Sequence, residues 1–216
     1  MKNPLDLIFW DWNGTLLDDL DVCIGCLNTL LRDFGYPQQY DKEHYREIFT
    51  FPIQDYYIRA GFDFQKDPFP VLAEHYMKLY LPHAAACGLV PGARAALDAF
   101  RARQISQAVL SASPMENLRL QVGQQGVGDY FGELLGLGDI YAASKVELGV
   151  SYMRRTGIDP ARALMLGDSV HDAEVARAMG ISCILVAAGH QSRHVLESAG
   201  CPVVDRADQV PAMLCL

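Results

Sequence analysis

Between Ile105 and Val204 short apolar runs alternate with stretches of helical apolar spacing, and this rhythm constrains the fold more than any other feature of the sequence. The spacing predicts strands at Ile105–Leu110, Glu133–Leu135, Ala163–Leu166, Ser182–Val186 and Pro202–Val204. Helices are expected between them at Pro114–Gln125, Lys145–Thr156, Ala173–Met179 and Ser192–Ala199. Parallel neighbours need crossover connections, so such alternation builds an α/β fold: a doubly wound, mostly parallel sheet with helices on both faces. The apolar run from Leu5 to Trp10 supplies a first strand far upstream of the others.

The intervening chain has a different rhythm. Leu20 to Phe34 has apolar residues at helical spacing and stops at Gly35-Tyr36-Pro37. Asp41 to Leu81 stays helical and rich in aromatic residues, with breaks near Phe51-Pro52 and Asp67-Pro68. A Gly/Pro hinge from Gly88 to Gly92 then leads into an Ala-rich helix, Ala93–Ala102. This divides the chain into an α/β core, 1–19 and 90–216, and a helical insertion, 20–89, whose aromatics are read as its own small core.

A net charge of −8 and a pI near 5.1 would repel a nucleic-acid backbone, and no dense Lys/Arg run offsets that balance. The longest uncharged stretch near the end, Ile181 to Gly189, is about half of what a membrane span requires and reads as a buried strand. Six cysteines without a secretory leader fit a cytoplasmic chain with reduced thiols. Cys23-Ile24-Gly25-Cys26 lacks a second pair for zinc and reads as helix packing.

Acids stand where two strands end. The first strand stops at Asp11, followed by Trp12-Asn13-Gly14-Thr15, and Leu164-Met165-Leu166 runs into Gly167-Asp168-Ser169-Val170-His171-Asp172. In doubly wound sheets ligands bind beyond the carboxyl ends of the strands, where Asp11, Ser111 and Asp168 all fall. Two acidic strand ends facing one crevice imply a cation between them.

These pieces in this order resemble the haloacid dehalogenase superfamily, in its phosphoglycolate-phosphatase-like branch with a helical cap. The resemblance rests on Asp11-Trp12-Asn13-Gly14-Thr15-Leu16-Leu17-Asp18 against the family's D-x-D-G-T-L-x-D, on Ser111, on Lys145 and on Gly167-Asp168-x-x-x-Asp172, and it covers nearly the whole chain. It implies a Rossmann-like core and a phosphatase that acts on a small phosphorylated metabolite with Mg²⁺. Asp11 would be the nucleophile, with Asp11, the Asn13 carbonyl, Asp168 and Asp172 around the metal. Ser111 and Lys145 would hold the transferring phosphoryl group, helped by backbone amides of Trp12, Asn13 and Ala112. Ser113 is a rival of Ser111 for the hydroxyl role.

Position 13 departs from that pattern. The family places there an aspartate that protonates the leaving oxygen and later activates water, whereas Asn13 has no proton to exchange near neutral pH. Turnover is expected to be slowed, and a phosphate-binding or regulatory protein is the alternative. Three sources of a replacement acid are open: His171, Asp18 or Asp19, and a residue of the cap. Lys42, His44, Arg46, Arg59, Lys66, His75, Lys78 and His83 include possible contacts for an anionic substrate, and nothing in the sequence chooses among them.

Overall fold

The structure is a computed structural model that describes residues 5–138 and 144–215. Six parallel strands form one sheet: β1 (Leu7–Trp10), β2 (Ser106–Pro114), β3 (Glu133–Leu137), β4 (Ala163–Gly167), β5 (Ser182–Val186) and β6 (Val203–Val204). Their order is β3-β2-β1-β4-β5-β6, so the chain winds outward from β1 to one side and then from β4 to the other. The reversal opens a crevice at the carboxyl ends of β1 and β4.

The helices are α1 (Leu20–Asp33), α2 (Lys42–Ile48), α3 (Ile53–Arg59), α4 (Phe69–Ala84), α5 (Ala93–Ala102), α6 (Met115–Gln124), α7 (Lys145–Thr156), α8 (Val170–Met179), α9 (Arg193–Glu197) and α10 (Val210–Met213). Side chains along a strand point alternately to opposite faces, and the core divides accordingly. Ile8 and Trp10 of β1, Val109 of β2 and Leu164 and Leu166 of β4 pack with Leu97 and Phe100 of α5 and Leu118 of α6. Leu7, Phe9, Ala108, Leu110 and Met165 point the other way, toward Met153 of α7 and Val175 and Met179 of α8. All four residues of β1 are buried, as a strand covered on both faces requires.

Helices α1 to α4 have a separate apolar cluster built on Leu27, Leu30, Tyr45, Tyr56, Tyr57 and Phe62. The aromatics of this segment therefore pack mainly on one another, and Cys23 and Cys26 lie in the same cluster on α1. All six cysteines are free thiols. Among the described residues no helix is long and apolar enough to cross a membrane.

Two boundaries differ from the sequence-based expectation for local reasons. Strand β2 continues past Leu110 to Pro114, because a shift of register lets Pro114 pair with Leu137. Helix α8 begins at Val170 rather than Ala173, because Ser169 and Asp172 form a reciprocal capping box that satisfies the free N–H groups of the first turn.

Candidate active site

Trp10 is in register with Val109 on one side and Leu166 on the other, and the next N–H, that of Asp11, still donates to Leu166 O at 2.8 Å. Asp11 therefore leaves the sheet at its carboxyl edge, beside the Gly167-Asp168 end of β4. Lys145, the first residue of α7, completes the cluster: its Nζ lies 2.5 Å from Asp11 Oδ1 and 2.5 Å from Asp172 Oδ1. Oxygens of Asp11, Asp168 and Asp172 lie within 4.8 Å of one another, and all three residues are buried.

The surrounding chain fixes each carboxylate. Asp168 Oδ1 accepts from Thr15 Oγ1 at 2.9 Å, and its Oδ2 accepts from the backbone N–H of His190 at 2.6 Å. Asp172 Oδ2 accepts from Ser169 N and Oγ at 3.0 and 2.7 Å, so its second oxygen remains for Lys145. Only Asp11 keeps an oxygen with no close donor among the described residues: Thr15 Oγ1 stands 3.5 Å from its Oδ2. Gly14 makes the close turn possible, since it has φ of 73° and a Cβ there would collide with Asp168 and His190.

Burial drives the Asp11 carboxyl well above its usual pKa; Lys145 pulls it back, and Asp172 and Asp168 push it up again. Burial works against the Lys145 ammonium, but Asp11 and Asp172 hold it charged beyond the ordinary lysine range. One ammonium thus faces three carboxylates. An oxygen-rich buried cluster with that excess of negative charge suits a hard divalent cation, which would relieve the repulsion acting on Asp11.

A second network adjoins the first at position 13. Asn13 Nδ2 donates to Asp19 Oδ2 and to the Tyr80 hydroxyl, each at 2.7 Å, while its Oδ1 accepts from Ser113 Oγ at 2.7 Å. Tyr80, on α4, also donates to Asp19 Oδ2 at 2.7 Å. Asp19 is fully buried and pairs with His190 Nε2 at 3.2 Å, and the other ring nitrogen of His190 meets the Tyr45 hydroxyl at 3.0 Å. The amide of Asn13 is thus used up in a latch that joins the β1 loop, β2 and the helical segment.

Burial alone would lower the His190 pKa, but the hydrogen bond and charge of Asp19, with Asp168 and Asp11 behind it, raise it to about 9 from 6.5. For Asp19 burial is again opposed and outweighed, by the charge and hydrogen bond of His190 and by Tyr80 and Asn13, so its carboxyl lies below 3.8. The His190 share of stability is complete below pH 6.5 and is lost as pH rises through about 9; the Asp19 share is complete above 3.8 and is lost as pH falls below it. In urea unfolding, the stability difference between wild type and His190→Gln should shrink by on the order of 3 kcal/mol between about pH 6 and above about pH 9. A constant difference across that range would show that the imidazole is neutral in the fold.

The structure brings Asp11, Lys145, Asp168 and Asp172 together. Ser111 is buried at the β2 edge, where its Oγ accepts from Ser113 N at 3.0 Å, and Ser113 is spent on Asn13. Trp12 offers only its backbone, since its side chain is buried and its indole donates to Gln121; Ala112 lies next to Ser111 on β2. Of the candidates for the missing acid, Asp19 touches Asn13, as does Tyr80 from the helical segment. Asp18 is exposed, and His171 stacks on Phe51 with its Nδ1 at 3.2 Å from Glu174. Arg59 is exposed, and Lys42, His44, His75 and Lys78 pair with acids of their own segment, as Lys66 and His83 do with its carbonyls. Arg46 instead crosses to the core and donates to Gly189 O and Ala188 O at 2.9 and 2.8 Å. His190 escaped sequence reasoning; its only signal is its place in the loop after the β5 strand end.

The sequence pattern of the haloacid dehalogenase-like hydrolases matches residues 8–186. A phosphoglycolate phosphatase of Synechococcus elongatus is 27% identical over 199 residues, covering 92% of this chain and 91% of its own. Among solved structures, a haloacid dehalogenase-like hydrolase from Streptococcus pneumoniae superposes with a TM-score of 0.83 at 16% identity, over 97% of this chain and 98% of that one. CbbY from Rhodobacter sphaeroides, solved in complex with phosphate, superposes with a TM-score of 0.74 at 21% identity, over 98% of this chain and all of its own. The parallel sheet, the strand-end acids and the extent of the match together make this chain a member of the haloacid dehalogenase-like hydrolase family.

Proposed function

We propose that the chain is a Mg²⁺-dependent phosphatase that hydrolyses a small phosphoglycolate-like monoester through an aspartyl-phosphate on Asp11, slowed by Asn13. The observation that carries this reading is the convergence of Lys145 on Asp11 and Asp172 at 2.5 Å, with Asp168 in the same cluster. The phosphatases among the relatives agree with it. A cytoplasmic setting belongs to the same reading, as does a division into a core, 1–19 and 90–216, and a cap, 20–89.

Asp11, the Asn13 carbonyl, Asp168 and Asp172 would hold Mg²⁺. When bound, the ion neutralises charge on the transferring phosphoryl group and orients it. Asp11 Oδ2, whose one neighbouring donor among the described residues is Thr15 Oγ1 at 3.5 Å, would attack phosphorus, and a carboxylate needs no deprotonation first. Lys145 keeps Asp11 ionised and meets the incoming negative charge; Ser111 donates its hydroxyl to a phosphoryl oxygen, with backbone N–H groups of Trp12, Asn13 and Ala112 around it. Helices α1 to α4 cover the opening and exclude water. Asn13 cannot hand a proton to the leaving oxygen, and the second half-reaction, attack of water on the acyl phosphate, lacks a base in the same place.

The test is turnover of a panel of phosphate esters with Mg²⁺ and with EDTA. Hydrolysis that vanishes on chelation and returns with Mg²⁺ is expected; chelator-independent hydrolysis would contradict the reading. Tight phosphate-ester binding without measurable turnover would favour the binding or regulatory alternative, to which the latch on Asn13 lends support.

Arg46 yields a separate prediction. It grips the carbonyls of the loop whose His190 N–H fixes Asp168. Groups that orient a metal ligand are worth about 10–100-fold in metal affinity. Arg46→Gln should raise the Mg²⁺ concentration for half-maximal activity by about 10-fold with kcat at saturation little changed. An unchanged Mg²⁺ requirement would show that the grip does not reach Asp168.

A further inference from the structure

Strands β5 and β6 bring together two thiols that the phosphatase chemistry does not use. Leu185 is in register with Val203 and Val186 with Val204, and Leu185 N donates to Pro202 O at 2.9 Å. Cys183, in β5, and Cys201, in the turn just before β6, each lie two residues before that first paired position. Both pack against the cluster of Ala173, Leu185 and Leu196, and both are partly exposed. Neighbouring strands lie about 4.8 Å apart, within the range of about 4.4–6.8 Å between Cα atoms that a disulfide spans.

We propose that Cys183 and Cys201 form an oxidisable dithiol site that closes to an intramolecular disulfide when a peroxide or a small disulfide reaches it, fastening the short edge strand β6 to β5. The two sulfurs are unequal. The neighbouring Cys183 and the charge of Arg177 bring the Cys201 pKa down to about 7 against partial burial, whereas Cys201 and burial push the Cys183 thiol up. Cys201 is therefore the attacking thiolate. With hydrogen peroxide it forms an S–O bond as the O–O bond breaks and hydroxide leaves, giving a sulfenic acid. Cys183 then loses its proton, attacks that sulfur and expels the oxygen as water. In sum two thiols and one peroxide give one disulfide and two waters, with two electrons passing from sulfur to oxygen. Of the other four thiols, Cys23 and Cys26 are buried on α1 and raised by burial, Cys87 is half-buried and raised to about 11 mainly by burial, and Cys215 is exposed at the far end of the chain with no partner thiol in the proposed site.

The experiment uses the full chain in its native state, treated with hydrogen peroxide or glutathione disulfide, alkylated, digested and analysed by mass spectrometry. The expected product is one reductant-sensitive link between the peptides carrying Cys183 and Cys201, with two thiols lost per chain. Cys201→Ser should abolish the link. Cys183→Ser should leave Cys201 as a sulfenic acid trapped by dimedone, or as a mixed disulfide with glutathione. Retention of all the thiols, or links that join other cysteines, would overturn the proposal. So would a Cys183→Ser protein in which Cys201 stays unmodified.

Discussion

Asn13→Asp is expected to raise kcat by about 10²–10⁴-fold, the usual worth of general acid-base assistance. The present amide donates to Asp19 Oδ2 at 2.7 Å, so an ionised carboxylate in its place would point an oxygen at another buried carboxylate. Like charges at that distance are avoided by keeping a proton on one of them. The new side chain would therefore carry an O–H toward Asp19, while its other oxygen still accepts from Ser113. A carboxyl held protonated near neutral pH is the acid the leaving oxygen lacks, and the pair would titrate as a unit rather than as two independent groups. Steady-state rates on an ester with a poor leaving group measure the effect. Equal rates in wild type and variant would show that another group already moves the proton.

Lys145→Met is expected to have the opposite effect, a fall in kcat of about 10²–10³-fold, comparable to removing one preorganised donor from a site of developing negative charge. The loss has two sources. The phosphoryl group would meet no ammonium, and Asp11, already pushed upward by burial, would lose the contact that keeps it ionised. Breaking a buried ion pair by removing one partner also costs on the order of 3–5 kcal/mol, so the folded fraction must be followed by thermal unfolding. Lys145→Arg separates the two sources, because it keeps the charge and changes only the shape. Folded Lys145→Met with wild-type kcat would remove Lys145 from the chemistry.

Much of this arrangement was legible because it depends on local pattern. Alternation of strand and helix gave the parallel sheet, and Asp11 and Asp168 could be placed since an acid after an apolar run stands at a strand end. The C-terminal half of the capping box, Asp172 three residues after Ser169, was also local, although it moved the start of α8. What stayed hidden depends on contacts between distant residues. Asp19 stood among the candidate acids, but its partner His190 is 171 positions away and alone reads as an ordinary polar residue beside a turn. Nothing in its neighbours distinguished Arg46 from seven other basic side chains, because which face of α2 meets the loop at Ala188 and Gly189 is decided by packing. Lys145 was found by its order among the motifs, and only its 2.5 Å contacts with two carboxylates explain why a cation belongs there.

The latch at position 13 also clarifies what slowing means for this chain. Its amide serves three neighbours at 2.7 Å, so Asn13 is integrated into the fold and is not a loose remnant of an acid. On the proposed reading, the first half-reaction would proceed best with leaving groups that need little protonation, and the second would lag.

The most direct test is rapid mixing of the protein and Mg²⁺ with an activated aryl phosphate, followed by acid quench and peptide mapping. The expected result is a burst of about one aryl alcohol per chain, a slower steady phase, and a phosphoryl group on the peptide bearing Asp11. A time course linear from the first turnover, with no phosphoryl group on that peptide, would contradict it.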